Sequence, residues 1–177
     1  MCIVIDANAL SCVFNDENEK HREFKPVHDW ITEGRGKMVA GGTKYDDELA
    51  KLKAYTKLFG QLSRANKIRY VDSGRVDDLV EKLKLKEKSR NFDDPHIVAI
   101  VVISGANLIC TEEVRAIPFF TRKEFYPRRS VPKIYSSSAN AKLLNGRYCR
   151  YCSISCNKAN KVTSDKIKSS EEMIKEK

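Results

Sequence analysis

The stretch DDPHIVAIVVISG, residues 93–105, says most about the fold of this chain. It begins with an Asp-Pro pair, which suits the N-terminus of a helix, and it ends at a glycine, which commonly follows the last helical residue. The body between them is apolar, and its periodicity alone would also fit a strand. The Asp-Pro beginning and the glycine end favour a buried helix.

Short apolar segments on either side of this stretch are predicted to be strands. Residues 2–5 end at Asp6 and are typical of a strand buried on both faces, as in parallel sheets. A short helix is predicted over residues 26–33, and Thr43 is expected to cap a long helix whose apolar residues recur as far as Leu62. The predicted strands are residues 2–5, 37–40, 68–71, 107–111 and 133–136, and a further helix lies near residues 76–83. Strands that alternate with helices indicate an α/β fold with a mostly parallel sheet.

The positive charge of the chain is concentrated at its C-terminal end. Of the net charge of +9 over 177 residues, none comes from residues 1–120, which hold equal numbers of acidic and basic side chains. A neutral body with a basic end favours a polyanionic partner, usually nucleic acid, although a solvated tail would have the same composition. We expect a folded domain over residues 1–137 and a basic, Cys-containing, partly disordered tail over residues 138–177, with 157–177 disordered or at best a frayed helix.

Composition argues against several classes of protein. No apolar run approaches the length of a transmembrane helix, and the N-terminus lacks the pattern of a signal peptide, so we expect a cytoplasmic protein without a membrane partner. The six cysteines are accordingly expected to be reduced. Gly41-Gly42 lacks the Lys-Ser/Thr partner of a phosphate-binding loop, which disfavours an NTPase.

The basic tail carries two candidate features. Cys149, Cys152 and Cys156 have a spacing that could bind zinc, but a fourth ligand is missing because the histidines all lie in the body, so zinc is the less favoured interpretation and a thiol cluster without a role stays open. Arginine and tyrosine alternate in the same segment, and such side chains can contact phosphates and stack on unpaired bases. The candidate nucleic-acid-binding residues are Arg128, Arg129, Arg147, Tyr148, Arg150 and Tyr151.

Four acidic residues stand where a site of an α/β protein would form. Asp6 and Glu113 follow predicted strands, Glu48 lies on the long helix, and Asp94 begins the apolar helix. Each also has a plain explanation as a helix cap, a turn residue or part of a solvated face. Brought together, the carboxylates would repel one another unless a hard cation such as Mg²⁺ compensated them. Such a cation would support hydrolysis of phosphodiester bonds.

The motifs resemble, in order, those of the PIN-domain nucleases, a family that includes VapC-like toxin ribonucleases. IVIDAN at residues 3–8 is similar to the family's opening strand with its Asp-x-Asn signature, and Glu48-Leu49 stands where its helix carries a metal-binding Glu. DPHIVA at residues 94–99 resembles its Asp-x-x-Ile-x-Ala helix start, and LICTEE at residues 108–113 its strand followed by Thr-x-Asp. The resemblance covers about residues 1–137.

The resemblance implies a PIN-like three-layer fold with a five-stranded sheet, a Mg²⁺ or Mn²⁺ site and endonuclease activity, mainly on RNA. If the resemblance holds, the metal ligands, direct or through water, are Asp6, Glu48, Asp94 and Glu113. The resemblance also implies that Asn8 steadies Asp6 and that Thr111 forms a hydrogen bond within the site. Glu113 replaces the commoner Asp, and Glu112 and Asp93 are rivals to their neighbours. His96 is expected to be structural or a substrate contact.

Several functional alternatives stay open at this point. The resemblance is compatible with a toxin that has an inhibitory partner such as an antitoxin, with an anti-phage effector and with an RNA-processing enzyme. A DNA nuclease and a non-catalytic nucleic-acid-binding or regulatory module on the same fold are further alternatives, and a homodimer is open as well.

Overall fold

A parallel sheet forms the centre of the molecule in a computed structural model that describes residues 2–127, 130–145 and 161–175. The described residues form five strands, which are Cys2–Ile5 (β1), Lys37–Ala40 (β2), Ile68–Tyr70 (β3), Leu108–Cys110 (β4) and Lys133–Tyr135 (β5). Their order in the sheet is β3-β2-β1-β4-β5, and each pair of neighbours is parallel. The predicted α/β fold with a parallel sheet is thereby confirmed.

Helices flank this sheet. They are Leu10–Phe14 (α1), His21–Thr32 (α2), Thr43–Lys51 (α3), Thr56–Arg64 (α4), Ser73–Lys86 (α5), Pro95–Ser104 (α6), Ile117–Phe120 (α7) and Lys161–Lys175 (α8). Every residue of β1, β2 and β4 is buried, as expected for strands that are covered on both faces. The helices α5 and α6 pack against each other, α6 contacts β1 and β2, and α1 packs against α2. The result is the three-layer arrangement that the resemblance implied.

The apolar stretch at residues 93–105 is the helix α6. Asp94 is its N-cap, Pro95 is in its first turn, and Gly105 follows it in the left-handed conformation at φ 69°. The helix is buried along almost its whole length. Because α6 leads back to the beginning of the parallel strand β4, its N-terminus lies at the carboxyl edge of the sheet. This direction brings Asp94 towards the ends of the strands.

The predicted long helix is two helices. α3 ends at Lys51, Leu52 has a non-helical backbone (φ −84°, ψ 59°), and α4 begins after a 3₁₀ turn. Thr43 is the first helical residue and not the cap: its backbone N–H and its hydroxyl donate to the Asp77 carboxylate of α5 at 2.9 and 2.6 Å. The turn before it requires glycine, since Gly42 has φ +91° and a Cβ there would lie 2.5 Å from Val76 Cγ1.

The short helix predicted over residues 26–33 begins five residues earlier, at His21. Pro26 therefore lies inside α2 and not in its first turn. The additional turns bury Phe24, whose ring centroid lies 6.0 Å from that of Tyr135 on β5. Packing against the sheet thus extends the helix beyond what the proline alone predicted.

Residues 161–175 form the helix α8, where the sequence suggested disorder or a frayed helix. Ile167 and Ile174 are buried, and the helix packs against α4. Among the α8 side chains whose burial is described, Ile167 and Ile174 stand between charged residues, which is why composition did not predict a packed helix. The boundary at residue 137 between a folded domain and a basic tail stays a prediction.

Several sequence predictions lie outside the described residues. They concern Arg128, Arg129, Arg147, Tyr148, Arg150, Tyr151, Cys149, Cys152 and Cys156. Among the described cysteines, Cys12 and Cys110 are free thiols. Within the described ranges no helix combines the length and the apolar character needed to cross a membrane.

Candidate metal centre

The sheet has one switch point, between β1 and β4. From β1 the chain continues through β2 to β3 on one side, whereas β4 and β5 lie on the other side. A crevice forms outside the carboxyl ends of the strands at such a point. Asp6 follows β1 and Thr111 follows β4, so both residues stand at this crevice. The Thr111 hydroxyl donates a hydrogen bond to Asp6 Oδ2 at 2.8 Å.

Asp6 is a buried carboxylate with few hydrogen-bond donors. Its side chain accepts the Thr111 hydroxyl and the backbone N–H of Asn8, the latter at 3.2 Å, and Asp6 is 3% exposed. Burial raises the pKa of Asp6 to about 6, the two hydrogen bonds oppose this rise, and the negative charge of Asp94 adds to it. Asn8 thus contacts Asp6 through its backbone. The negative charge of Asp94 therefore acts on Asp6 even though the two acids come from different elements.

Glu48, Asp94 and His96 form a group that could hold a metal ion, and we call it the metal-capable group. One carboxylate oxygen of each acid and one imidazole nitrogen all lie within 4.8 Å of one another. His96 Nε2 lies 3.1 Å from Glu48 Oε2, and His96 Nδ1 lies 3.9 Å from Asp94 Oδ1. Nδ1 is buried and has no hydrogen-bond partner among the described residues. Two carboxylates and an imidazole are a donor set that suits a divalent cation.

Two helices assemble this group. α3 supplies Glu48, and the first turn of α6 supplies Asp94 and His96. Tyr45 fixes α3 at the edge of the sheet, because its buried hydroxyl donates to the carbonyl oxygen of Ile5, the last residue of β1, at 2.5 Å. Burial, together with the charges of Asp6 and Glu48, raises the pKa of Tyr45 well above its usual range, so its hydroxyl stays a donor.

Lys44 provides a positive charge beside both acids. Its Nζ lies 3.3 Å from Asp94 Oδ1 and 3.6 Å from Glu48 Oε1. Burial raises the pKa of Glu48, but the hydrogen bond and charge of His96 and the charge of Lys44 outweigh it, so that the pKa is lowered. At Asp94 burial outweighs His96 and Lys44, and the pKa is raised. His96 and Lys44 therefore compensate the negative charge of Glu48 more fully than that of Asp94.

Glu113 lies near this group but does not join it. Its backbone N–H donates to the Thr111 hydroxyl at 3.0 Å, whereas its carboxylate accepts a hydrogen bond from Arg115 at 2.8 Å. Its rival Glu112 forms an ion pair with Lys20 at 2.6 Å. The Glu113 side chain lines a neighbouring cavity of about 360 Å³, which Asp93 also lines. Of the four predicted acids, the structure therefore brings Glu48 and Asp94 together in the metal-capable group, while Asp6 lies outside it and interacts electrostatically with Asp94.

Sequence reasoning missed the part of His96 in the group and the contacts of Lys44 and Tyr45. A signal existed for two of them. Lys44 precedes Glu48 by four residues, which places the two side chains on one helix face. His96 follows Asp94 by two residues in the first helical turn. Tyr45 gave no signal, because its partner is a backbone carbonyl 40 residues away.

Comparison with known proteins finds no relative. The chain matches no protein-family model, no curated protein and no solved structure. Its function is therefore inferred from the residues and geometry of the site.

Proposed function

We propose that this chain is a metal-dependent endoribonuclease that hydrolyses phosphodiester bonds. The observation that carries this proposal is the metal-capable group of Glu48, Asp94 and His96 near the switch-point crevice, the location where α/β sheets bind ligands. Glu48 and Asp94 come from two separate helices, and Asp6, at the end of β1, interacts electrostatically with Asp94. The PIN-domain resemblance of the sequence supports the same chemistry.

Mg²⁺ and Mn²⁺ are the proposed cations. Glu48 and Asp94 would hold the ion, and Asp6 would complete the ligand set directly or through water. If the His96 imidazole is a ligand, the donor set favours Mn²⁺, because imidazole suits transition metals. If His96 only hydrogen-bonds Glu48, it orients that ligand and the oxygen set suits Mg²⁺. A bound ion would lower the pKa of a water molecule and neutralise charge on the phosphoryl group.

The surrounding residues would hold this set in place. Thr111 links the two strands at the crevice, since its hydroxyl donates to Asp6 and accepts the N–H of Glu113. Tyr45 fixes the helix that carries Glu48. His96, 1% exposed, closes the buried side of the group, so a substrate phosphate can approach only from the solvent side.

RNA is the proposed substrate for two reasons. The PIN-domain nucleases that the sequence resembles act mainly on RNA, and the net charge of +9 belongs to residues 121–177, which would attract a polyanion. A toxin role belongs to the same proposal and requires an inhibitory partner protein. Co-expression with a neighbouring small gene product would test that role.

One observation favours a second candidate, a nucleic-acid-binding module without catalysis. The Lys44 ammonium already compensates Glu48 and Asp94 in part, so the acids do not strictly need a metal ion. Such a module would bind RNA equally well with and without a chelator.

Cleavage of matched single-stranded RNA and DNA in Mg²⁺, Mn²⁺ or EDTA separates these functions. We expect RNA cleavage that EDTA abolishes and that Asp94→Asn slows by at least about 100-fold. Asp93→Asn is the matched control, because its exposed carboxylate is the adjacent acid and lies outside the metal-capable group. Cleavage that survives both EDTA and Asp94→Asn would refute the proposal. RNA binding in EDTA without cleavage under any condition would support the binding module.

A further inference from the structure

Lys44 lies where the metal-capable group meets solvent. Its Nζ donates a hydrogen bond to the carbonyl oxygen of Asp93 at 2.7 Å and contacts the carboxylates of Asp94 and Glu48 at 3.3 and 3.6 Å. His96, which is buried, contacts the same carboxylates of Glu48 and Asp94 at 3.1 and 3.9 Å. The Lys44 side chain is 46% exposed, so the ammonium faces both the acids and the solvent.

The ammonium and a divalent cation would compete for the same negative charges. Both require the oxygens of Glu48 and Asp94, and two positive groups within a few ångströms of each other repel strongly in a partly buried site. Lysine is suited to yield, since its charge stands on a flexible four-carbon chain and can move into water without any shift of α3.

We propose that Lys44 is the resident counter-ion of this site and becomes a phosphate-binding residue when a divalent cation displaces it. The phosphate contact rests on the proposed function. In the metal-free site the ammonium neutralises Glu48 and Asp94. When a divalent cation binds, the ammonium moves outward but remains at the mouth of the crevice.

The position of the mouth explains the second role. Because His96 is 1% exposed whereas the Lys44 side chain is 46% exposed, Lys44 lies on the solvent side of the group, from which an RNA phosphate would approach. A displaced ammonium there is a free positive charge with three hydrogen-bond donors, which suits a phosphate oxygen. One side chain would thus oppose binding of the metal and favour binding of the substrate.

Removal of this charge should change the two affinities in opposite directions. The variant is Lys44→Gln, and the matched control is Lys51→Gln, which removes the same charge from the last turn of the same helix. Mn²⁺ binding is measured by calorimetry without RNA, and KM for single-stranded RNA is measured at saturating Mn²⁺. We expect Lys44→Gln to bind Mn²⁺ about three- to thirtyfold more tightly than the control, since two ion pairs no longer compete.

We also expect KM for RNA to rise about three- to tenfold, through the loss of one phosphate contact. A merely structural role of Lys44 would weaken both affinities. Lys44→Arg retains the positive charge and should bind Mn²⁺ with an affinity closer to that of the wild type.

Each remaining outcome decides the proposal. Mn²⁺ binding by Lys44→Gln that is equal to or weaker than that of the control overturns the counter-ion role, and so does an absence of Mn²⁺ binding in all variants. Tighter Mn²⁺ binding with an unchanged KM overturns the phosphate contact. If the wild type binds Mn²⁺ but cleaves no RNA, the endoribonuclease proposal and the phosphate contact fail, while the Mn²⁺ comparison still decides the counter-ion role.

Discussion

Replacement of Asp6 by asparagine should stabilise the metal-free protein at neutral pH. Asp6 is buried, and burial raises its pKa from 3.8 to about 6 despite two hydrogen bonds. Because the folded state binds the proton more tightly than the unfolded state, stability falls as the pH rises from about 4 to 6, and the loss persists at pH 7. A pKa difference of about two units corresponds to about 3 kcal/mol in the free energy of unfolding.

Asparagine has almost the same shape and removes the charge. Its side-chain oxygen can still accept the N–H of Asn8, and its amide can donate to the Thr111 hydroxyl. In EDTA at pH 7 we therefore expect Asp6→Asn to be more stable than the wild type by up to about 3 kcal/mol. The difference should shrink as the pH falls to 4, where the Asp6 carboxyl is protonated in the folded state and about half protonated in the unfolded state.

Urea denaturation at half-unit steps from pH 4 to 7 measures this difference. Asp93→Asn, which changes an exposed acid nearby, controls for the general loss of one negative charge. A constant difference across the pH range, or an Asp6→Asn protein that is less stable at pH 7, would refute the reasoning. Saturating Mn²⁺ should stabilise the wild type more than Asp6→Asn, because only the carboxylate contributes charge to the ion.

Three further predictions concern single side chains. Thr111→Val should lower the free energy of unfolding by about 1–3 kcal/mol, because the Asp6 carboxylate loses a buried hydrogen bond; an unchanged urea midpoint would contradict this. Mn²⁺ at a hundredfold excess over its Kd should stabilise the wild type by about 3 kcal/mol and Asp94→Asn by far less, and equal shifts in denaturation would argue against a ligand role. His28 is buried, which lowers its pKa, but hydrogen bonds to two carboxylates, including Glu171 of α8 at 2.8 Å, raise it overall. That stabilisation is complete below about pH 6.5 and is lost as the pH rises through the folded pKa, so hydrogen-exchange protection of α8 should fall with pH in the wild type and stay flat in His28→Gln.

The core of the fold could be predicted from the sequence because its signals are local. Two segments show this. The apolar composition of residues 2–5 and of the capped helix at residues 93–105 predicts both their secondary structure and their burial. The position at which the predicted long helix divides into α3 and α4 could not be predicted in the same way. Leu52 continues the apolar periodicity of the predicted long helix, yet its backbone leaves the helical region, and the 3₁₀ turn that follows packs against α8, which is distant in sequence.

The candidate site was predictable to the extent that its residues adjoin elements with clear ends. Asp6 and Asp94 directly follow or begin such elements, and the structure places them in one neighbourhood. Glu113 also follows a strand, but a partner two residues away, Arg115, holds its carboxylate outside the metal-capable group. The direction in which a partly buried side chain turns depends on such partners, and spacing along the sequence does not encode it.

The charges at the crevice are arranged in a way that stability alone does not favour. Asp6 is buried with a raised pKa beside a second acid, and Nδ1 of the buried His96 has no partner among the described residues. An apolar side chain at either position would avoid these energetic costs. A divalent cation would compensate the acids and could use the free nitrogen as a ligand, so one binding event would relieve several costs together. Lys44 offers only partial relief, because a single, half-exposed charge faces Glu48 and Asp94 and leaves the raised pKa of Asp6 in place. This imbalance supports our proposal that the metal-capable group, which could hold a metal ion, binds a divalent cation.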